Sequence, residues 1–486
     1  MVFTLEDVLL GIQPSDTRRE LRIANVFRQV AFREAVIDSR LATPQSLFTA
    51  LRGEKVDGHD FLAGAMANGA QAALVQRERA TELAEQHHLP IVDPANGVEL
   101  NEADAGRVLL IAVDDPLGAL QRLAVYHRAK FDPIVLGITG SVGKTSTKEA
   151  VAAVLRRRYR TLKNPRSYNS ESTLPIVLLQ LSAEHEVAVL EMGMYGPGDI
   201  ALLAGLARPT LGIVTNVGPS HMERAGSIEV IARTKGELIE SLPSDGHAIL
   251  NIDDPYVRAM AERTNATPFM YGLDPAADLW ADQIESRGLE GISFRAHHAG
   301  EAVTLRLPLI GRHSVHTALA AAASGILLGL GWDAIIDGLR DSSAQLRLLA
   351  VPGWNGSTII DDTYNAAPAS SLAALNLLSE LAGRKIAVLG DMLELGPAEE
   401  QSHRLVGARA AEVVDLLITY GQRAQWIGDE AAQAGLPATN IHHVTTTAEA
   451  TSLLQAMIEP GDQILVKGSR GMAMEQIVAN LQHRVA

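Results

Sequence analysis

The chain has 486 residues, 47% hydrophobic and 20% charged, which supplies apolar material for several cores and is not the composition of a disordered chain. A formal net charge of −15 argues against a nucleic-acid-binding protein, which needs a basic face, and the absence of cysteine excludes disulfides, thiolate catalysis and cysteine-ligated zinc. The opening MVFTLED lacks the basic and apolar regions of a secretory signal, and no apolar run reaches about 18 residues, so the expectation is a cytoplasmic α/β protein without membrane insertion.

Residues 1–112 read as a first small α/β domain. Its segments 36–40, 46–51 and 57–61 precede a helical run at 61–68 and a strand at 72–75. Within Asp38-Ser39-Arg40, two readings stay open: an ordinary surface turn, or Ser39 and the forked Arg40 guanidinium contacting a phosphate or a uracil. Asp114-Asp115-Pro116 marks a linker that ends in a helix start, with the helix running to about residue 128.

A second domain is expected over 113–342, organised around GITGSVGKTST at 137–147. The apolar run 134–138 reads as a buried strand, and 144–157 has helical periodicity. Strand, glycine loop, Lys-Thr and helix together present backbone N–H groups and a helix N-terminus to a polyphosphate. Thr139, Gly140, Ser141, Val142, Gly143, Lys144, Thr145 and Ser146 form this loop; Lys144 would neutralise phosphate and the Thr145 hydroxyl would bind Mg²⁺. Ile138 stands where the usual pattern has its first glycine.

Residues 164–175 follow as a polar loop, and the strand 186–191 ends in Glu191. A carboxylate at a parallel strand's C-terminal end faces the crevice where α/β sheets bind ligands and is a hard oxygen ligand for Mg²⁺; the alternative is a strand-end surface charge. The strand 210–215 leads to Asn216 and His221, and on its own His221 reads as a hydrogen-bonded loop residue. Ser227 caps a helix over 227–242, in which Lys235 reads on its own as a salt-bridging surface lysine. A strand at 248–251, a turn at Asp253-Asp254-Pro255, a β-rich stretch at 275–310 and a helix at 315–330 complete the domain.

In the third domain, 343–486, strands at 358–361, 385–389, 416–419 and 463–466 alternate with helices near 369–381, 398–413, 446–458 and 472–482, which implies a parallel sheet. The loops at 361–365, 390–394 and 467–471 all follow strands and therefore gather on one sheet edge. No Gly-x-Gly-x-x-Gly occurs here, so a dinucleotide site is not supported.

Together these motifs resemble the ATP-dependent Mur ligases of peptidoglycan synthesis over nearly the whole chain. The 139–146 loop, the 190–194 run (LEMGM), Thr215-Asn216 with His221, and 232–238 match that family's central domain; 361–365, 390–396 and 467–472 match its C-terminal domain. Asp38-Ser39-Arg40, Leu47-Phe48 and the 53–61 segment resemble its uridine-nucleotide domain. The resemblance is strongest to the branch that joins D-alanyl-D-alanine to UDP-muramyl-tripeptide. It implies three domains: a small α/β uridine-nucleotide domain, a central P-loop ATPase-type parallel-sheet domain, and a C-terminal Rossmann-like domain.

By that resemblance, the loop and Lys144 hold the ATP phosphates, and Arg347, Asp362 and Asn365 contact the nucleotide. Thr145 and Glu191 bind the Mg²⁺ of ATP, His221 helps hold a second Mg²⁺, and Lys235 is the lysine that becomes carbamylated. Ser39 and Arg40 meet the uridine-diphosphate end, while Asn169, Ser170, Asp391, Lys467 and Arg470 lie toward substrate. The expected partners are UDP-muramyl-tripeptide and D-alanyl-D-alanine, taken by a monomer, with no nucleic acid. The chain departs from the family pattern at Gln45, Val142, Ser170, Thr173, Ser314, Thr317, Ala367 and Ala369. Those departures keep two alternatives in view: a ligase for another acid and amine, and a nucleotide-binding regulator without turnover.

Overall fold

A computed structural model describes residues 3–14, 21–53, 56–96, 98–100, 102–219, 222–341 and 349–482; His221 and Arg347, both given roles above, lie outside the described residues. The chain packs as two compact units, one made of Met1–Val135, Arg160–Met192 and Ala201–Pro209, the other of Leu136–Tyr159, Gly193–Ile200 and Thr210–Ala486.

The first unit contains a five-stranded sheet in the order Glu34–Val36, Ser46–Thr49, Ala70–Gln76, Leu109–Val113, Ile91–Val92, parallel throughout. Ser46–Thr49 and Leu109–Val113 are buried at every position, as expected for parallel strands covered on both faces. Asp115 caps the helix Pro116–Arg128 by accepting from the Leu117 N–H at 3.0 Å, and Pro116 fills the first helical position, where a missing N–H costs nothing. Against this helix packs Leu174–Leu178, and in the same unit Thr161–Lys163 pairs in parallel with Val187–Glu191.

In the second unit, parallel strands run in the order Ile134–Thr139, Leu211–Val214, His247–Asn251, Thr267–Gly272, Leu279–Ser286. Ile292–His298 and Glu301–Leu307 then continue the sheet antiparallel, which resolves the weakly patterned 275–310 stretch into a meander. Helix Lys144–Leu155 packs on Ser314–Leu327 and on Trp332–Leu339, the last a helix that sequence periodicity did not separate from its neighbour.

A six-stranded sheet in the same unit has the order Leu349–Pro352, Thr358–Asp362, Gln463–Lys467, Lys385–Gly390, Leu416–Tyr420, Ile441–Val444. It is parallel except for Leu349–Pro352, which pairs antiparallel with Thr358–Asp362. The expected all-parallel sheet therefore has an antiparallel edge, because the short 353–357 connection can close a hairpin but not a crossover. Helix Gln425–Gln433 and strand Ile441–Val444 are additional to the expected elements. Thr358–Asp362, Gln463–Lys467 and Lys385–Gly390 are neighbours, so the three motif loops do meet at one edge. Among the described residues, no helix is long and apolar enough to cross a membrane.

Candidate nucleotide site

Ile138 is a fully buried residue of strand Ile134–Thr139, so the loop starts after Thr139 and has no place for the usual first glycine. Gly140 holds φ +147°, and a Cβ there would lie 1.9 Å from Thr215 Oγ1, a clash no side chain survives. Gly143 has φ +87° and serves as N-cap of helix Lys144–Leu155 without a side-chain hydrogen bond to the first turn. A Cβ on it would meet nothing within 4 Å, so the mouth of the loop is open. The N–H groups of a helix's first turn are the donors a phosphate needs.

The adjacent strand end fixes the loop. Asn216 Oδ1 accepts from the Val142 N–H at 2.9 Å, its Nδ2 donates to the Val142 carbonyl at 2.9 Å, and Thr215 Oγ1 donates to the same carbonyl at 2.7 Å. Ser141 donates its N–H to the Asn216 carbonyl, and its hydroxyl exchanges hydrogen bonds with Gly218. Val142 thus acts through its backbone, which accounts for an apolar side chain where the family pattern has a polar one. Lys144 Nζ donates to the Gly140 and Ser141 carbonyls at 2.7 and 3.3 Å, bridging the loop from within.

This loop opens into a cavity of about 300 Å³ that the six-stranded sheet also lines. Ser141, Val142, Gly143 and Ser146 face it from one side; Asp362, Asn365 and Lys467 face it from the other. Lys467 Nζ donates to Asp362 Oδ2 at 2.5 Å and to the Asn365 carbonyl at 2.8 Å, and both charged side chains are buried. Lys467, expected toward the substrate, therefore belongs to the nucleotide-loop cavity. Five of the departures, Val142, Ser314, Thr317, Ala367 and Ala369, line the same cavity.

Lys235 is not a surface lysine: it is buried inside helix Ile228–Glu240. Burial, and then the charge of Lys144, push its ammonium well below the usual lysine range. A buried neutral amine is the form that can capture CO₂.

The remaining expected residues are not among those that line the cavity. In the first unit, Asn164 donates from Nδ2 to the Glu191 and Tyr168 carbonyls and accepts from the Glu191 N–H, holding the 164–173 loop to the strand end. Asn169 Nδ2 donates to Glu191 Oε1 at 2.7 Å, so a buried Glu191 replaces the strand-end surface charge. Ser170 and Thr173, two departures, hydrogen-bond each other through N–H to hydroxyl at 3.0 Å and hydroxyl to hydroxyl at 2.9 Å. Ser39 is buried, with its carbonyl accepting from Asn68; Arg40 is exposed and forks onto Asp38 at 2.7–3.2 Å.

In the second unit, Asp391 is buried and turned inward, accepting from the Ala424 N–H at 2.7 Å and lining neither this cavity nor its neighbour. Arg470 stacks over the Tyr364 ring at 5.6 Å and borders a separate cavity of about 240 Å³ with Asp361 and Thr363.

Sequence reasoning missed Asn251, Tyr271, His313 and His316, all of which line the nucleotide-loop cavity. For Asn251 a signal was available: it ends a strand of the parallel set, and such ends face the binding crevice. The histidines carry no local motif and come from the start of helix Ser314–Leu327.

An uncapped glycine loop on a parallel sheet, sharing its cavity with a second α/β sheet, defines a nucleoside-phosphate-binding α/β protein of the P-loop type. Residues 138–325 match the Mur ligase middle domain, 346–470 the Mur ligase glutamate ligase domain, and 33–128 the Mur ligase family catalytic domain. The chain is 36% identical to UDP-N-acetylmuramoyl-tripeptide–D-alanyl-D-alanine ligase of Bacillus subtilis over 94% of each chain. It is 34% identical to the Escherichia coli ligase of the same name over 92% of each. Its fold matches the crystal structure of MurF from Acinetobacter baumannii with a TM-score of 0.79 at 29% identity, covering 98% of both chains. The MurF ligase of Thermotoga maritima in complex with ADP matches with a TM-score of 0.74 at 26% identity, over 94% of this chain and 98% of that one. The chain belongs to the Mur ligase family.

Proposed function

We infer that this protein is an ATP-dependent amide ligase that adds D-alanyl-D-alanine to UDP-N-acetylmuramoyl-tripeptide, releasing ADP and phosphate. What carries the reading is one cavity shared by the glycine loop, Asp362 and Lys467, in a chain aligned almost end to end with ligases of that activity. The peptide carboxylate attacks the γ-phosphorus of ATP, ADP leaves, and an acyl phosphate results. The amine of D-alanyl-D-alanine then attacks the acyl carbon, phosphate leaves, and the amine gives up its proton. Lys144 and the first-turn N–H groups of helix Lys144–Leu155 hold the phosphates while charge moves between them. No protein nucleophile takes part, in keeping with a chain without cysteine.

The Mg²⁺ of ATP is assigned to the Thr145 hydroxyl and the Glu191 carboxylate, hard oxygen donors that suit it, and His221 to a second Mg²⁺. When bound it would offset the charge on the transferring phosphoryl group. Lys235 is assigned as the carbamylated lysine, because its depressed ammonium favours the reactive amine. Ser39, Arg40, Asn169, Ser170 and Arg470 are assigned to the muramyl substrate or the dipeptide. Domain boundaries near residues 112 and 342, a monomeric state and a cytoplasmic location complete the proposal.

The test is phosphate release from ATP with UDP-muramyl-tripeptide and a panel of amine acceptors. Release that depends on D-alanyl-D-alanine is expected. Turnover only with another acceptor would replace this reading with a ligase of different specificity, and nucleotide binding without turnover on any pair would make the protein a regulator. For Lys235, ¹³C-bicarbonate should give a carbamate resonance that Lys235→Ala abolishes; no such resonance in the wild type removes the carbamate.

A further inference from the structure

His316 sits in the first turn of helix Ser314–Leu327 and lines the nucleotide-loop cavity. Its Nε2 lies 2.7 Å from Asp253 Oδ2, and that oxygen also accepts the Leu273 N–H at 2.8 Å. Burial pushes the Asp253 carboxyl up, but the hydrogen bonds from His316 and Leu273 outweigh it and hold the group below its ordinary value. The carboxylate can therefore only accept, and the His316 proton it receives is on Nε2. In the neutral ring, Nδ1 is left with its lone pair, and among the described residues it has no hydrogen-bond partner.

Place in the sheet says which part of a nucleotide this atom would meet. Asp253 follows strand His247–Asn251 and Leu273 follows Thr267–Gly272, the second and third neighbours of the strand that feeds the glycine loop. Strands are spaced about 4.8 Å apart, so the pair lies roughly 10–14 Å from the phosphate loop along the sheet edge. That is the reach of a nucleoside diphosphate from its terminal phosphate to its base.

We propose that His316, its tautomer set by Asp253, is a specificity-determining residue that reads position 6 of a purine. It accepts from a 6-amino group and disfavours a 6-oxo group, whose oxygen would face its lone pair. Asp253 is the positioning residue. The inference rests on the nucleotide reading above.

Titration calorimetry with ADP and inosine diphosphate, which differ at position 6 and in the proton that the 6-oxo base carries on N1, tests it. The wild type should prefer ADP by about tenfold or more, as expected when a site built to hydrogen-bond one group meets its opposite. His316→Phe should bring the two affinities within about threefold of each other, and His316→Gln, which offers both donor and acceptor, should also narrow the ratio. Asp253→Ala removes the acceptor that keeps the ring proton on Nε2 and lets the ring take the Nδ1–H tautomer. Its ratio should shift toward inosine diphosphate. The ratio is the readout because a general loss of packing weakens both ligands alike. An ADP preference unchanged in all three variants overturns the role of His316. Failure of the wild type to bind either nucleotide overturns the nucleotide reading and this inference with it.

Discussion

The glycine loop and the loops of the six-stranded sheet line the same cavity but are held in place by different physics. The hydrogen bonds to the Val142 backbone all come from neutral side chains, with Asn216 closing on both the N–H and the carbonyl. Across the cavity the shape depends on a buried charge pair, Lys467 with Asp362, at 2.5 Å. A neutral clamp on backbone tolerates almost any side chain on the clamped residue. A buried pair tolerates no single loss, because whichever charge remains has been taken from water without compensation. The family pattern can therefore drift at Val142 while Lys467 and Asp362 cannot change one at a time.

The charge-pair side should break hardest. Lys467→Met leaves the Asp362 carboxylate buried and is expected to cost about 3–5 kcal/mol of stability. Urea denaturation should show that loss, and Lys467→Met with Asp362→Leu should recover most of it, since removing both charges removes the penalty. A single variant as stable as wild type would mean that the pair is solvated and that the contrast between the two sides is wrong.

That contrast also explains what could be read in the sequence. Gly140, Gly143 and Lys144 are local: a strand, a turn and a helix in contiguous residues, each demanded by backbone geometry, so the loop was legible from one stretch. The strands of the C-terminal sheet were legible from their apolar runs, and with them the edge where the three motif loops meet. Lys467 and Asp362 are 105 positions apart, and no spacing rule joins them; only the adjacency of their two parallel strands does. Lys235 shows the reverse error. Acidic neighbours made it look like a surface residue, yet its side of the helix faces inward. His316 and Asp253 escaped for the same reason as Lys467: their partnership is made by folding, across two strand ends and a helix start.

Breaking the neutral clamp should do less to stability and more to binding. Asn216→Ala removes two hydrogen bonds to Val142 and is expected to cost about 1–3 kcal/mol, with the affinity for ADP falling about tenfold as the loop loses its fixed shape. Val142→Ser, which leaves the backbone contacts in place, should change ADP affinity less than about twofold. Calorimetry on the two variants separates the cases; a larger effect at Val142 than at Asn216 would show that the side chain, and not the backbone, is what the loop uses.

The smallest effect should distinguish the two sides by their response to acid. Buried His403 receives the Met392 N–H on Nε2 at 3.0 Å and donates from Nδ1 to the Glu399 carbonyl at 2.7 Å, so it holds the 390–394 loop only as a neutral ring. Burial depresses its pKa below the ordinary 6.5. The folded state therefore binds fewer protons than the unfolded state between that depressed value and about 6.5, and stability is lost as the pH falls through this window. The slope from one such group is at most about 1.4 kcal/mol per pH unit. His403→Gln, whose carbonyl oxygen can still accept the Met392 N–H, should flatten the decline below pH 6.5 relative to wild type, while other buried histidines cancel in the difference. Because the ring holds the loop after the strand next to that of Lys467, and among the described residues no histidine clamps Val142, acid should reach the charge-pair side first, and an unchanged slope in the variant would remove that asymmetry.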